Sequence, residues 1–206
     1  MNKILEYIVA RPTSGFLILG GLIFLLSVYA AQLTAKACTE RWKGNVYRTK
    51  IVSMMITGCT AFMALLLYGI SIMTIQIIAF SLICIYASYG DIKTREADDW
   101  LSVMVLLLGL AGRSMNDIPS MIFSLAVVGG IMLLIAVIGG NGALGGADIK
   151  FAAASAFLLG PQRAILGTII GCIASILWTL IKKKGKTGIP MLPYLSIGYV
   201  LTFLLK

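Results

Sequence analysis

The chain has 206 residues, of which 59% are hydrophobic and 12% are charged, and its mean hydropathy is +0.97. This composition excludes an ordinary soluble domain, which needs a far more polar surface. The net charge of +9 does not indicate nucleic-acid binding, because the cations lie in short loops between apolar runs, which is the positive-inside pattern of a membrane protein.

Apolar runs in chain order predict helices, since about 20 apolar residues suffice for one span and each helix satisfies its own backbone groups in lipid. Residues 1–13 are predicted to form a short interfacial segment. The predicted spans are 15–35, 51–68, 72–90, 100–112, 120–138, 148–159, 164–181 and 189–205. We therefore expect one all-α domain over residues 1–206, a polytopic transmembrane bundle of about eight spans.

Alternation of eight spans assigns the loops to two sides. The loops 36–50, 91–99, 139–150 and 182–187 share one side and carry 12 of the 17 Lys and Arg residues. The side with more Lys and Arg residues is expected to be cytoplasmic. We therefore expect a multi-pass protein of the cytoplasmic (inner) membrane with both termini facing outward.

The inventory of reactive residues excludes several chemistries. The sequence has no histidine, and its four cysteines form no CxxC pair. Ser–His–Asp and Cys–His catalysis are excluded because both need imidazole as a base, and a Cys/His zinc site is not expected. We expect no metal and no cofactor.

Two aspartates lie where an apolar run meets a polar loop. Asp91 ends the run IAFSLICIYASYG, and Asp148 opens the run IKFAAASAFLLG, on the same predicted side. Placing a carboxylate at the boundary of a membrane span costs free energy, so its presence suggests a functional site. Two facing carboxylates share a proton, as in aspartic proteases. An ion-relay site and a purely structural pair remain alternatives.

A glycine-rich stretch, residues 139–147, leads directly into Asp148. Glycine permits close approach of backbone to a bound peptide, so the stretch is a candidate border of a cleft. Alternatively, the glycines only let helices turn or pack.

Three segments carry a resemblance to a known family. Residues 91–101 read Asp-Ile-Lys-Thr-Arg-Glu-Ala-Asp-Asp-Trp-Leu, residues 145–150 read Gly-Gly-Ala-Asp-Ile-Lys, and residues 189–198 read Ile-Pro-Met-Leu-Pro-Tyr-Leu-Ser-Ile-Gly. In these motifs, in their order and over residues 75–206, the chain resembles the type IV prepilin peptidases, which are membrane aspartyl proteases of the GxGD type.

The resemblance implies an endopeptidase that removes the leader peptide of prepilins or pseudopilins at the cytoplasmic membrane face. It implies Asp91 and Asp148 as catalytic residues, a substrate helix and membrane lipid as partners, and no cofactor. It leaves the oligomeric state open. The candidate substrate-binding residues are Gly145, Gly146, Ala147, Lys93 and Lys150. Three functional alternatives remain. They are a transporter or ion-relay subunit using the same aspartates, a scaffold subunit of a secretion machine, and a presenilin-like protease that cuts within a substrate span.

The chain departs from the family pattern in three respects. Ala147 replaces the last glycine of GxGD, and Ala97-Asp98 replaces an Ile-Pro pair, which makes Asp98 and Asp99 rivals for the first catalytic position. The methyltransferase insertion with paired CxxC motifs is missing, since Cys38 stands alone. This implies a peptidase without N-methylation, or with methylation supplied elsewhere. Lys93 and Lys150 are candidates for holding the charge of the aspartate pair, for facing lipid phosphate, or for plain topology anchoring.

Overall fold

The computed structural model of the chain describes residues 12–140, 144–182 and 190–205, and these residues form helices and connecting turns without a strand. The helices are α1 (Pro12–Trp42), α2 (Val46–Tyr68), α3 (Ile72–Thr94), α4 (Asp99–Leu110), α5 (Ile118–Ile138), α6 (Gly146–Leu159), α7 (Pro161–Lys182) and α8 (Leu192–Leu204), with a 3₁₀ turn at Met115–Asp117. The all-α class predicted from the apolar runs is confirmed. Of the predicted interfacial segment, residues 1–11 lie outside the described residues, and 12–13 begin α1.

Five of these helices are long and apolar enough to cross a membrane, namely α1, α2, α3, α5 and α7, the α5 span including the preceding 3₁₀ turn. The chain is therefore a multi-pass membrane protein. The other three helices have 12, 14 and 13 residues. At about 1.5 Å per residue they fall short of a hydrocarbon core about 30 Å thick. Every predicted span contains a helix, but the predicted count of eight complete spans is not confirmed.

The predicted basic loop 36–50 is wrong in its extent. Helix α1 continues to Trp42 and α2 begins at Val46, so only three residues join the two helices. Lys, Arg, Glu and Ala are good helix formers and extend both helices beyond the apolar runs. The turn closes through Lys43, which has a φ of 47°, and through the side chain of Asn45, which accepts a hydrogen bond from the Arg48 amide at 3.2 Å.

The predicted break at Asp91 is also displaced. Helix α3 continues to Thr94 and ends where Arg95 adopts a left-handed conformation with a φ of 61°. Asp91 therefore lies within the last turn of α3 rather than after it. This placement fixes the direction of its side chain through the helix geometry.

Helix α6 forms the centre of the bundle. Eight of its 14 residues are buried, and its run of alanines permits close approach by its neighbours. The ring of Phe151 stacks on Phe80 of α3 with centroids 6.5 Å apart, and Ser124 of α5 donates a hydrogen bond to the Ala156 carbonyl at 2.7 Å. A helix enclosed in this way has little lipid contact, so its short length is tolerated.

Helices α7 and α8 make close contact through glycines. A Cβ atom at Gly198 would collide with the carbonyl oxygen of Gly167, and one at Gly171 would lie 2.8 Å from the Cα atom of Leu195. Beside this contact, the hydroxyls of Thr168 and Tyr199 are hydrogen-bonded at 2.9 Å. These contacts fix the position of α8, and hence of its N-terminus.

Two ion pairs bring polar helix ends together. Arg41, near the end of α1, contacts Asp98 in the α3–α4 link at 2.7 Å, and Lys150 of α6 contacts Asp99 of α4 at 2.8 Å. Three of the four loops predicted to share a side therefore lie at one end of the bundle. That this end faces the cytoplasm stays a prediction.

We expect Gly198→Ala to lower the free energy of unfolding by about 1–3 kcal/mol, because the added methyl group overpacks the α7–α8 contact. The measurement is thermal unfolding of the purified protein in detergent, followed by circular dichroism. Gly130→Ala is the matched control, because a Cβ atom there meets nothing within 4 Å. Equal melting temperatures for the two variants would contradict the packing described for α7 and α8.

Candidate active site

Asp91 is held by the N-terminus of another helix. Its side chain lies in the last turn of α3 and the residue is 7% exposed. One carboxylate oxygen, Oδ2, accepts a hydrogen bond from the backbone amide of Leu192 at 3.0 Å. Leu192 is the first residue of α8, where amides have no partner inside the helix and the helix dipole is positive. This contact favours the ionised form of Asp91.

The third sequence motif explains why this amide is available. Proline has no amide hydrogen and is well tolerated only in the first turn of a helix. Pro193 occupies that first turn, and Pro190 precedes the helix, so α8 begins between them at Leu192. Sequence reasoning noted the two prolines but missed the amide donor that they frame.

Asp148 lies in the first turn of α6, half-buried, at the same end of the bundle. Its Oδ2 atom accepts a hydrogen bond from the amide of Gly145 at 3.3 Å. A Cβ atom at Gly145 would lie 3.0 Å from this oxygen. Gly145 therefore permits a close approach of backbone to carboxylate, and a larger residue there would require the carboxylate to shift by a few tenths of an ångström.

The pKa of Asp148 is raised from an ordinary value of 3.8 to about 6, first by burial and then by the negative charge of Asp91, against the opposing effect of the Gly145 hydrogen bond. One carboxylate therefore feels the charge of the other. The two residues are 57 positions apart in the sequence and lie within range of an electrostatic interaction. Their catalytic role stays a prediction.

The rival acids have cationic partners. Asp98 forms a two-point contact with Arg41, at 2.7 Å to one guanidinium nitrogen and 2.8 Å to the other. Both carboxylate oxygens of Asp99 accept hydrogen bonds from the Lys150 ammonium, at 2.8 and 2.9 Å. These pairs are partly or largely exposed. Each acid is paired with a cation of another element, and the charge that raises the pKa of Asp148 is that of Asp91.

The candidate substrate-binding lysines lie in different surroundings. Lys150 is occupied by Asp99 of α4. The Lys93 ammonium lies over the ring of Tyr89, 5.9 Å from its centroid. Their roles in substrate binding stay predictions.

Ala147 fits the backbone without strain. Gly145 precedes α6, and Gly146 and Ala147 are its first two residues. Among the described residues, the non-glycine residues with positive φ are Lys43 and Arg95. The residue that replaces the motif glycine is therefore right-handed and helical, a conformation that alanine favours. Residues 141–143 of the glycine-rich stretch lie outside the described part of the chain.

An aromatic cluster beside Asp91 escaped sequence reasoning. The rings of Trp42 and Trp100 each pack against Tyr86, with centroids 5.0 and 5.6 Å apart. Arg41 lies over the Trp42 ring at 5.0 Å and donates a hydrogen bond to the Tyr86 hydroxyl at 3.0 Å. The cluster holds the α3–α4 link against the ends of α1 and α3. In the sequence, such aromatics are indistinguishable from membrane-interface residues.

The short link between α1 and α2 has a further consequence. Only residues 43–45 join these helices, and Cys38 is buried within α1. This three-residue link does not contain the methyltransferase insertion, as the sequence predicted.

Comparison with known proteins agrees with these features. Residues 78–180, half of the chain, match the family model Peptidase_A24, the type IV leader peptidase family. The match includes the first two motifs with both aspartates, while the motif at 189–198 lies outside it. No curated protein and no solved structure matches the chain. Through the family model that covers α3 to α7, the chain belongs to the type IV leader peptidase family.

Proposed function

We propose that this protein is an aspartic endopeptidase that cuts the leader peptide from prepilins or pseudopilins at the cytoplasmic face of the inner membrane. The observation that carries the proposal is the buried Asp91 carboxylate at the N-terminus of α8, at the same end of the bundle as Asp148. The excess of cations in the loops at this end supports its cytoplasmic placement.

The two aspartates take different roles. Asp91 is the ionised member, because the Leu192 amide and the positive end of the α8 dipole stabilise its charge. Asp148 is the protonated member, because burial and the neighbouring charge raise its pKa. A shared proton of this kind is the working state of aspartic proteases.

Hydrolysis then follows from these charges. Asp91 takes a proton from a water molecule, whose oxygen forms a bond to the carbonyl carbon of the scissile amide. Asp148 gives its proton to the carbonyl oxygen, which yields a neutral tetrahedral diol. The C–N bond breaks as the proton on Asp91 passes to the leaving amine and the diol returns a proton to Asp148. No metal or covalent intermediate takes part in these steps.

The position of the pair matches a substrate cut at the edge of its helix. Asp91 and Asp148 lie at polar helix ends, near the links 95–98 and 144–145, rather than at the middle of the long spans. The apolar helix of the substrate would lie in lipid against the bundle, and its extended leader would reach the pair from the aqueous side. This arrangement favours cleavage at a membrane face over cleavage within a span.

Replacing either aspartate by asparagine should lower kcat/KM for prepilin cleavage by about 10²–10⁴-fold, the usual contribution of a general acid or base. The measurement is the rate of leader release from a purified prepilin by the purified variants Asp91→Asn and Asp148→Asn. Asp99→Asn is the matched control, since this acid lies at the same end but is exposed and paired with Lys150. Its rate should stay near that of the wild type.

Folding is checked separately by thermal unfolding. Because the folded state raises the pKa of Asp148, ionised Asp148 destabilises the fold above about pH 6. At pH 8 the Asp148→Asn variant should therefore melt no lower than the wild type. Full cleavage by Asp148→Asn, or its loss in Asp99→Asn alone, would overturn the assignment of the pair.

The pH dependence of cleavage should report the proton on Asp148. The free enzyme holds this proton below a pKa of about 6 and loses it above that value. We therefore expect kcat/KM to fall as pH rises above 6, approaching about tenfold per pH unit. The fall in kcat should occur at a higher pH than the fall in kcat/KM. Bound substrate excludes water from the two aspartates, which raises the pKa of Asp148 in the complex.

The measurement is leader release between pH 4.5 and 8.5 at constant ionic strength, with tryptophan fluorescence as a check on folding. A kcat/KM that instead rises through pH 6 to a plateau would mean that Asp148 acts in its ionised form, and it would exchange the two roles.

A further inference from the structure

A groove of about 780 Å³ runs along the surface of the bundle between α2, α3 and α8. Its walls are largely aliphatic. They include Val52 and Ile56 of α2, Ile85 and Ile92 of α3, and Ile197 and Leu201 of α8. Neither Asp91 nor Asp148 is among the residues that line it. The groove therefore does not contain the proposed catalytic pair, although Ile92 and Lys93, the residues that follow Asp91, line it.

The polar end of this groove carries two cations, Arg48 and Lys93. Both are exposed, and the Lys93 ammonium lies over the ring of Tyr89. Within residues 12–140, 144–182 and 190–205, cations such as Lys36, Arg41 and Lys150 form ion pairs, whereas Arg48 and Lys93 do not. Two positive charges without an acidic partner in the described residues thus stand at the head of an apolar channel.

We propose that this groove is a binding site for an anionic phospholipid. The acyl chains lie along the aliphatic walls, and the phosphate is bound by Arg48 and Lys93. The match is one of charge and polarity together, since basic pockets between membrane helices attract anionic head groups. Arg48 and Lys93 lie at the helix ends, where long basic side chains reach the level of the phosphates.

The chemistry of the groove favours a lipid as its occupant. Flexible acyl chains adapt to the aliphatic walls formed by α2, α3 and α8, and the two cations at the polar end suit an anionic head group.

A bound lipid would also stabilise the packing of α3, which carries Asp91, against α8, which carries its amide donor. Tyr89, Ile92 and Lys93 flank this residue in α3, and Pro193 follows the Leu192 amide donor in α8. A ligand that contacts both helices stabilises the folded state in proportion to its occupancy. Occupancy of the groove should therefore appear as a rise in melting temperature.

The test uses the full chain in nanodiscs of phosphatidylcholine, titrated with phosphatidylglycerol. Retained lipids are counted by native mass spectrometry, and thermal unfolding is measured in parallel. We expect the wild type to retain phosphatidylglycerol and to melt several degrees higher with it. Arg48→Gln/Lys93→Gln should bind it at least tenfold more weakly and lose the shift.

Two further variants distinguish a specific lipid-binding site from nonspecific electrostatic attraction of anionic lipid to the protein. Lys43→Gln/Lys50→Gln removes the same charge at the same end, from exposed residues outside the groove, and should keep the wild-type shift. Ile197→Trp keeps both cations but fills the groove from an exposed position, and should lose the retained lipid.

Three outcomes would overturn the proposal. Equal loss of binding in both double variants would mean a diffuse electrostatic effect. Unchanged binding in Arg48→Gln/Lys93→Gln would contradict the proposed head-group site. Unchanged binding in Ile197→Trp would contradict the proposed position of the acyl chains in the groove. Displacement of the retained lipid by a prepilin would make the groove a substrate site instead.

Discussion

The hydrogen bond from the Leu192 amide to the buried Asp91 carboxylate, at 3.0 Å, is the contact on which the rest of the site depends. A carboxylate that is 7% exposed needs compensation for the water it loses. The N-terminus of α8 supplies an amide and the positive end of a helix dipole to this carboxylate. Close glycine contacts between α7 and α8, one of them at Leu195 within a turn of Leu192, fix the position of that N-terminus.

The surroundings of Asp148, in contrast, disfavour its ionised form. Its carboxyl group is half-buried beside a negative charge, and the fold raises its pKa to about 6 instead of neutralising it with a cation. Two cations at this end of the bundle are paired with other acids, Arg41 with Asp98 and Lys150 with Asp99. The same end of the bundle therefore holds two kinds of acid. One kind is paired with a cation and links helices. The other kind, Asp91 and Asp148, accepts hydrogen bonds from backbone amides, and such unusual carboxylates are candidates for a functional site.

Much of this organisation could be predicted from the sequence. Long apolar runs predicted helices, the charge pattern grouped the loops that contain Asp91 and Asp148, and the motifs indicated the family. Helix ends were less predictable, because Lys36, Glu40 and Arg41 are compatible with either a loop or an extended α1. The role of Leu192 was not predictable, since its contribution is a backbone amide that every residue except proline possesses. The Arg41–Asp98 pair joins residues 57 positions apart, and local patterns carry no information about such partners.

The most direct test of the coupled pair is an infrared titration of the Asp148 carboxyl group in the wild type and in the Asp91→Asn variant. Isotope labelling of aspartate, with Asp148→Asn as the subtraction reference, isolates the protonated carboxyl band of this residue. In the wild type the band should disappear with a midpoint near pH 6. Without the charge at position 91 the midpoint should fall, yet stay above 3.8 because burial persists. A midpoint that does not change would show that the two carboxyl groups do not act as one site.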